Sequence, residues 1–121
     1  MPYKILIVED NSANRLLLRD ILVYHGYEII EAENGADGIK AAIEQTPDII
    51  LMDLQMPVMN GYSAIRELKC NSVAKNIKII AITSFAMIGD KEKAMECGAD
   101  EYIGKPINTR TLPDMIKNML K

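Results

Sequence analysis

Residues 4–11 read KILIVEDN, a continuous apolar run that is closed by two adjacent acids. An apolar run with branched side chains and no polar alternation is typical of a strand buried on both faces, as in a parallel sheet. Further candidate strands occupy residues 27–31, 49–52 and 77–82, and a short fifth one occupies 101–103. The sequence therefore predicts five strands.

Stretches with the apolar spacing of amphipathic helices separate these strands and follow the last one. They cover residues 12–25, 36–45, 61–70, 90–97 and a final stretch that runs to about residue 120. In the first helix, Ser12 is the expected N-cap and Gly26 the expected stop. The sequence therefore predicts five helices that alternate with the strands.

Pro113 constrains where the last helix begins. A start at Thr109 would place this proline where a helical N–H is needed, whereas a start at Thr111 places it among the first N–H groups, which have no helical partner. We therefore expect the helix to start at Thr111, with Thr111 and Asp114 acting as a capping-box-like pair.

The alternation of strands and helices predicts an α/β fold with a doubly wound, five-stranded parallel sheet in the order 2-1-3-4-5. Its crossovers are expected to be right-handed and to place the five helices on both faces of the sheet. No repeat, low-complexity tract or linker divides the chain, so residues 1–121 are predicted to form one domain.

The composition is that of a globular protein, with 121 residues, 49% of them apolar and 26% charged. A net charge of −3, from 17 acids and 14 bases, argues against a nucleic-acid partner, because phosphate binding requires clustered Lys and Arg. No apolar stretch has the length of a membrane span and no signal peptide is visible. We therefore expect a cytoplasmic protein without a membrane partner.

The cysteines and the histidine offer little chemistry. Cys70 and Cys97 lack metal-type spacing and are expected to be reduced thiols. His25 is the only histidine, which argues against a His-based metal site and against a Ser-His-Asp triad. Its place beside Gly26 is typical of the end of a helix.

In a sheet of this order, the ligand crevice lies beyond the carboxyl ends of the strands, between strands 1 and 3. The polar side chains expected at this edge are Glu9 and Asp10 after strand 1, Asp53 after strand 3, Thr83 and Ser84 after strand 4, and Lys105 after strand 5. Clustered carboxylates repel one another unless a cation lies among them, and hard oxygen ligands suit Mg²⁺. With an ammonium and a hydroxyl, such a site forms a receptor for a phosphoryl group.

A carboxylate in this position can itself be the nucleophile and form an aspartyl phosphate. Asp53 is the best candidate because it stands at the tip of a central strand. Glu9 and Asp10 are then the acids on the metal side.

The motifs together resemble the receiver domain of bacterial response regulators, the CheY-like family, over the whole chain. The matching positions are Glu9-Asp10, the segment 47–57, Asn60-Gly61, Thr83-Ser84, Gly98-Ala-Asp100 and Lys105-Pro106. The segment 83–90 looks most like single-domain regulators that control cell-cycle polarity, and like receivers attached to hybrid histidine kinases.

This resemblance implies a role for each matching position. Asp53 would accept the phosphoryl group from a phosphohistidine of a sensor histidine kinase or a histidine phosphotransferase. Glu9, Asp10 and Asp53 would hold Mg²⁺ together with the backbone carbonyl of Gln55.

The resemblance also implies a switch. Thr83 would hydrogen-bond the phosphoryl group and move inward, Lys105 would pair with the same group, and the Lys105–Pro106 peptide bond would be cis. Tyr102 occupies the switch-aromatic position, although a half-exposed packing residue on a short strand is the alternative. Gly61 is expected to serve a turn conformation rather than binding.

For the partners, the resemblance implies that the phosphodonor docks near Asn14, Arg15, Leu18 and Ile107. We expect no effector domain after residue 121 and therefore no DNA contact, so the expected output is binding to a separate downstream protein. The chain is expected to be a switch that catalyses only its own phosphorylation and dephosphorylation, rather than an enzyme.

Departures and alternatives remain. Gln55 and Phe85 occupy positions that influence phosphoryl lifetime in this family, and neither would activate water, so slow self-dephosphorylation is expected. The chain could be a receiver excised from a hybrid histidine kinase or larger regulator. An aspartyl-phosphate phosphatase would need a second acid where Gln55 stands, and a flavin-binding module would not place acids after strand 1.

Overall fold

A computed structural model describes residues 3–56, 59–83 and 89–120. The strands are β1 (Lys4–Val8), β2 (Glu28–Ala32), β3 (Ile49–Asp53), β4 (Lys78–Thr83) and β5 (Glu101–Gly104). The helices are α1 (Ser12–Tyr24), α2 (Gly35–Gln45), α3 (Gly61–Cys70), α4 (Asp90–Cys97) and α5 (Thr111–Met119). Strands and helices alternate along the chain as predicted.

The five strands form one parallel sheet in the order β2-β1-β3-β4-β5, which confirms the predicted fold class. Val8 at the end of β1 lies opposite Ala32 of β2 on one side and Met52 of β3 on the other. Thr83, the last residue of β4, lies opposite Gly104 of β5. The carboxyl ends of the central strands are therefore aligned at one edge.

Two apolar cores, one on each face, explain why the central strands are apolar throughout. Alternate residues of a strand point to opposite faces. One core packs α2, α3 and α4 on strand residues that include Leu6, Val8, Ile50, Met52 and Ile79. The other packs α1 and α5 on strand residues that include Ile5, Ile7, Ile49, Leu51 and Ile80.

Asparagine side chains cap the first three helices. The Asn11 Oδ1 atom accepts a hydrogen bond from the Asn14 backbone N–H at 3.0 Å, so the expectation that Ser12 is the N-cap is wrong. The backbone of Asn11 is extended, which lets its side chain bond forward, while Ser12 is already the first helical residue. Asn34 and Asn60 cap α2 and α3 in the same way. Gly26 ends α1 with a φ of 88°, as expected.

The last helix begins at Thr111, as Pro113 predicted, but its cap differs from the expectation. The Asn108 Oδ1 atom accepts hydrogen bonds from the backbone N–H groups of Arg110 and Thr111, at 2.8 and 3.0 Å. A capping box formed by Thr111 and Asp114 is therefore wrong, because the N–H of Thr111 is itself bonded to an earlier side chain.

The described part of the chain also shows the state of the cysteines and the character of the helices. Neither cysteine there is in a disulfide, and Cys70 is exposed whereas Cys97 is buried. Within the same residues, no helix combines the length and the apolar character that crossing a membrane requires.

Candidate functional site

Four strand ends bring the predicted polar residues to one edge of the sheet. Glu9 follows β1, Asp53 ends β3, Thr83 ends β4 and Lys105 follows β5. The side chains of Glu9, Asp53 and Thr83 are buried, with exposures of 1%, 3% and 0%. Buried acids without a structural reason are rare, so this edge is the strongest candidate for a functional site.

Three carboxylates converge there. One oxygen from each of Glu9, Asp10 and Asp53 lies within 4.8 Å of the others. Asp10 is exposed, whereas its two neighbours are buried. The structure thus brings together the three acids that the sequence singled out for the metal.

Lys105 is the cation of this cluster. Its Nζ atom lies 2.9 Å from Glu9 Oε1 and 3.6 Å from Asp53 Oδ2, and the side chain is 18% exposed. The backbone N–H of Lys105 donates to the Thr83 carbonyl at 2.7 Å, and the Lys105–Pro106 peptide bond is cis. Burial lowers the pKa of Lys105, but the hydrogen bond to Glu9 and the charges of Asp53 and Glu9 raise it more, so the ammonium stays protonated.

The pKa values of the two buried carboxyls shift in opposite directions. Burial and a hydrogen bond with Glu9 raise the pKa of Asp53 from 3.8 to about 7, against the opposing effects of the Gln55 N–H and of Lys105. Burial also acts to raise the pKa of Glu9, but hydrogen bonds with Asp53, Lys105 and Asn14 lower it overall. Of the two, Asp53 is therefore the carboxyl that takes up a proton as the pH falls through about 7.

One oxygen of this pair has no partner. Glu9 Oε2 is buried and, among the described residues, accepts no hydrogen bond. An unsatisfied buried acceptor beside two further carboxylates is a position that a divalent cation can fill. The ligand set consists of oxygens without sulfur or imidazole, which fits Mg²⁺.

The backbone of Gln55 contacts the site directly. Its N–H donates to Asp53 Oδ1 at 3.0 Å, which holds the carboxyl group two residues earlier in one orientation. Sequence reasoning placed only the Gln55 carbonyl at the site and missed this N–H, because short-range turns after a strand leave no residue-type signal.

Gly61 is required by close approach rather than by a turn, so the expectation of a turn conformation is wrong. A Cβ atom at this position would lie 2.7 Å from the Leu54 Cα atom and closer still to the Asp53 carbonyl oxygen. The Gly61 N–H donates to the Leu54 carbonyl at 3.2 Å. Helix α3 therefore begins directly against the backbone that carries Asp53.

The remaining predicted residues differ in their environments. Tyr102 is half-buried and packs against the core beneath α4. Ser84 and Phe85 lie outside the described residues. The Arg15 side chain is only 14% exposed, and its guanidinium bonds inward to the loop after β1. That inward contact was missed, since the sequence indicated only a docking position for Arg15.

A groove adjoins the site. It has a volume of about 380 Å³ and lies between α1 and the segment after β5. The lining residues are Asn14, Leu17, Leu18, Lys105, Pro106 and Ile107. Three of the four positions expected at a phosphodonor surface, Asn14, Leu18 and Ile107, are among them.

The chain is similar to known proteins both in sequence and in structure. Residues 5–117 match the family described as response regulator receiver domain. The chain is similar to the polar-differentiation response regulator DivK of Brucella anthropi, at 41% identity over 99% of this chain and 98% of the relative. The DivK of Brucella ovis is similar at 39% identity over the same shares.

Solved structures agree. The fold is similar to the receiver domain of a sensor histidine kinase from Pseudomonas aeruginosa, with a TM-score of 0.92 and 32% identity over 99% of this chain and 98% of that one. A magnesium ion is coordinated in the active site cleft of that domain. The chemotaxis protein CheY4 of Vibrio cholerae is similar with a TM-score of 0.92 and 27% identity, over 98% of this chain and 99% of that one.

These matches confirm the resemblance noted from the sequence motifs. They extend almost from one end of the chain to the other, and they include DivK-like relatives of nearly the same length. The chain belongs to the response regulator receiver domains, the signalling switches of two-component systems.

Proposed function

We propose that this receiver accepts a phosphoryl group on Asp53 in a reaction that requires Mg²⁺. The observation that carries the proposal is the cluster of three carboxylates within 4.8 Å, of which Glu9 and Asp53 are buried beside the Lys105 ammonium. When all three are ionised, the cluster has an excess of negative charge that a bound cation can compensate.

Four groups would hold the metal. They are the carboxylates of Glu9, Asp10 and Asp53 and the backbone carbonyl of Gln55. When bound, Mg²⁺ would neutralise charge on the oxygens of the phosphoryl group during transfer. The unpartnered Oε2 of Glu9 supports this assignment, because a buried oxygen would then gain a ligand.

Asp53 would be the nucleophile. Its ionised carboxylate oxygen forms a bond to phosphorus, the P–N bond of the donor phosphohistidine breaks, and the leaving imidazole keeps the electron pair and takes a proton from solvent. Because the pKa of Asp53 is raised to about 7 in the metal-free protein, the carboxyl holds a proton below that pH, and this proton has to leave before transfer.

Lys105 and Thr83 would hold the product. The Lys105 ammonium already lies 3.6 Å from Asp53 Oδ2, within reach of a phosphoryl group attached there. The Thr83 side chain, at the end of the neighbouring strand, would donate to a second oxygen. Inward movement of Thr83, with rotation of the half-buried Tyr102, would shift the population of states on the β4–β5 face.

The groove beside Lys105 is the proposed docking site for the donor, a sensor histidine kinase or a histidine phosphotransferase. Apolar side chains of Leu18 and Ile107 line it beside the reacting edge. The altered β4–β5 face would then bind a downstream protein. Docking next to the acceptor would bring a phosphohistidine to Asp53 without any change in the sheet.

Intact mass spectrometry after incubation with acetyl phosphate tests the proposal. The wild type should gain the mass of one phosphoryl group with Mg²⁺ and none with a chelator, and Asp53→Asn should gain none. Asp20→Asn is the matched control, because Asp20 is exposed on α1 away from the cluster. A wild type that gains no Mg²⁺-dependent adduct would refute the function, and equal labelling of Asp53→Asn would refute the site.

A further inference from the structure

Arg15 contacts the main chain of both acids that follow β1. Its Nη1 atom donates to the Glu9 carbonyl at 2.9 Å and to the Asp10 carbonyl at 3.3 Å. The guanidinium thus reaches back from the first turns of α1 across the loop from which the helix starts. Nothing in the proposed phosphoryl transfer uses this contact.

Two carboxylates at the end of β2 hold the other side of the guanidinium. The Arg15 Nε atom lies 3.6 Å from Glu31 Oε1, and Nη2 lies 3.6 Å from Glu33 Oε1. The Arg15 side chain is only 14% exposed. A planar guanidinium presents several N–H donors in fixed directions, so it can link two carbonyls and two carboxylates at once.

The peptide groups on both sides of Glu9 are therefore held. The Glu9 N–H donates to the Ala32 carbonyl at 3.1 Å, and the Glu9 carbonyl accepts from Arg15. The Asp10 carboxylate, by contrast, accepts no hydrogen bond from any residue in the described ranges. Its direction depends on the main chain that Arg15 holds.

We propose that Arg15 is a positioning residue for the cation site, fixing the Glu9–Asp10 main chain so that both carboxylates are held in place for Mg²⁺. This inference rests on the proposed function, because it presumes that the cation binds at the acidic cluster. Arg15 itself contacts neither the cation nor the phosphoryl group in this scheme.

Charge alone predicts the opposite effect of removing Arg15. A guanidinium close to a cation site repels the cation, so its loss would tighten Mg²⁺ binding if repulsion were its main influence. Glu31 and Glu33 compensate this charge from the far side. Loss of positioning would instead weaken binding, because the two carboxylates would no longer be held in the geometry that the small ion demands.

Calorimetric titration of Mg²⁺ into the unphosphorylated protein separates these effects. We expect Arg15→Gln to raise the Kd for Mg²⁺ by about tenfold, the range found when a group that orients a metal ligand is lost. Arg15→Lys should also raise it several-fold, since an ammonium keeps the charge but cannot link the carbonyls and both acids. Circular dichroism at the titration temperature shows that each variant is folded.

Arg19→Gln is the matched control. Arg19 lies one helical turn further along α1, and its Nη1 atom contacts Glu31 Oε2 at 3.2 Å but neither carbonyl of the loop. The substitution removes the same charge from the same helix, so the Kd should stay within about twofold of the wild type. Tighter binding by Arg15→Gln, or wild-type affinity in both Arg15 variants, would overturn the inference.

Glu9→Gln distinguishes this failure from that of the proposed function. If Glu9→Gln loses Mg²⁺ affinity while both Arg15 variants keep it, the cation site stands and only the role of Arg15 is refuted. If Glu9→Gln binds Mg²⁺ as the wild type does, the site itself is wrong, and the inference falls with it.

Discussion

Two lysine–carboxylate clusters lie at opposite edges of the sheet. The carboxyl-edge cluster consists of Glu9, Asp53 and Lys105, beyond the ends of the strands. The amino-edge cluster consists of Lys69 and Asp100, before β4 and β5 begin. Their ion pairs have similar lengths, 2.9 Å for Lys105–Glu9 and 3.2 Å for Lys69–Asp100.

The amino-edge cluster is balanced. Lys69 Nζ donates to the carbonyls of Ile77 and Lys75, at 2.9 and 3.4 Å, as well as to Asp100. Asp100 Oδ2 also accepts the backbone N–H of Ile79 at 2.8 Å. One positive and one negative charge meet, and each is further bonded to the main chain, so this cluster fastens the loops before β4 and β5.

The carboxyl-edge cluster is not balanced. A single ammonium faces two buried carboxyls, and Glu9 Oε2 has no hydrogen-bond partner in the described part of the chain. The difference shows that the length of an ion pair does not tell a cluster with balanced charges from one that could take a further ligand. Excess charge and an unsatisfied acceptor do distinguish them, because both destabilise the cluster in a way that binding of a ligand can relieve.

The largest difference between the two clusters should appear in protein stability when the lysine of each is replaced. In the absence of Mg²⁺, Lys105→Met should lower the free energy of unfolding by about 3 kcal/mol, because Glu9 and Asp53 both lose the ammonium that lies beside them. Lys69→Met should lower it by about 2 kcal/mol through the acceptors left without a donor. Chemical denaturation with and without Mg²⁺ measures both.

Mg²⁺ should rescue only one of these variants. It should stabilise Lys105→Met more than the wild type, because the cation replaces the lost charge, and it should stabilise Lys69→Met only as much as the wild type. Equal gains in both variants would contradict the distinction between the clusters.

The second largest effect should be on the pH dependence of stability, which we expect to differ between the carboxyl-edge and amino-edge clusters. The pKa of Asp53 is raised from 3.8 to about 7 in the folded state, so the folded protein holds a proton that the unfolded chain releases above pH 4. Its contribution to stability is present below the unfolded pKa and is lost as the pH rises through 7. At pH 8 without Mg²⁺, Asp53→Asn should therefore be more stable than the wild type by about 2 kcal/mol.

Denaturation between pH 5 and 8 checks this expectation. The lowered pKa of Glu9 acts at lower pH, since its contribution is lost only as the pH falls below the usual range of a glutamate. Saturating Mg²⁺ should remove the decline in the wild type by displacing the proton. A wild-type profile that rises between pH 5 and 8 without Mg²⁺ would count against a raised pKa of Asp53.

The same substitution at the amino edge should have the smallest effect. Asp100→Asn keeps an acceptor for the Ile79 N–H and loses only a charge from a side chain that is 40% exposed. We expect a loss of about 0.5 kcal/mol, as is usual for an exposed ion pair. A gain in stability like that of Asp53→Asn would show that the two clusters are equivalent after all.

Most of the fold could be predicted from the sequence, because a strand that is buried on both faces consists almost entirely of apolar residues. The strands β1 and β3 read as apolar runs, and the acids at their ends, Glu9, Asp10 and Asp53, indicated the edge where the polar side chains converge. Helix ends were less predictable. Asn11 and Ser12 can both cap a helix, and only the backbone conformation decides which does.

The site was predictable in its members but not in its contacts. A long side chain such as Arg15 can extend in many directions, so the sequence could not show that it folds back onto the main chain of its own loop. The sequence predicted a turn at Gly61, whereas the structure shows a close approach of two backbone segments; both situations favour glycine, so the residue type alone could not tell them apart. The bond from Lys105 to Glu9 joins residues 96 positions apart, and no local pattern reports it.

The burial of Asp53 has a further consequence for access. With 3% of its surface exposed, Asp53 offers almost no area that another folded surface could cover. If Asp53 is the acceptor proposed above, a donor has to present its phosphoryl group on a slender extension, such as a single imidazole or a small acyl phosphate. The proposed site would then select donors by size before any chemistry takes place.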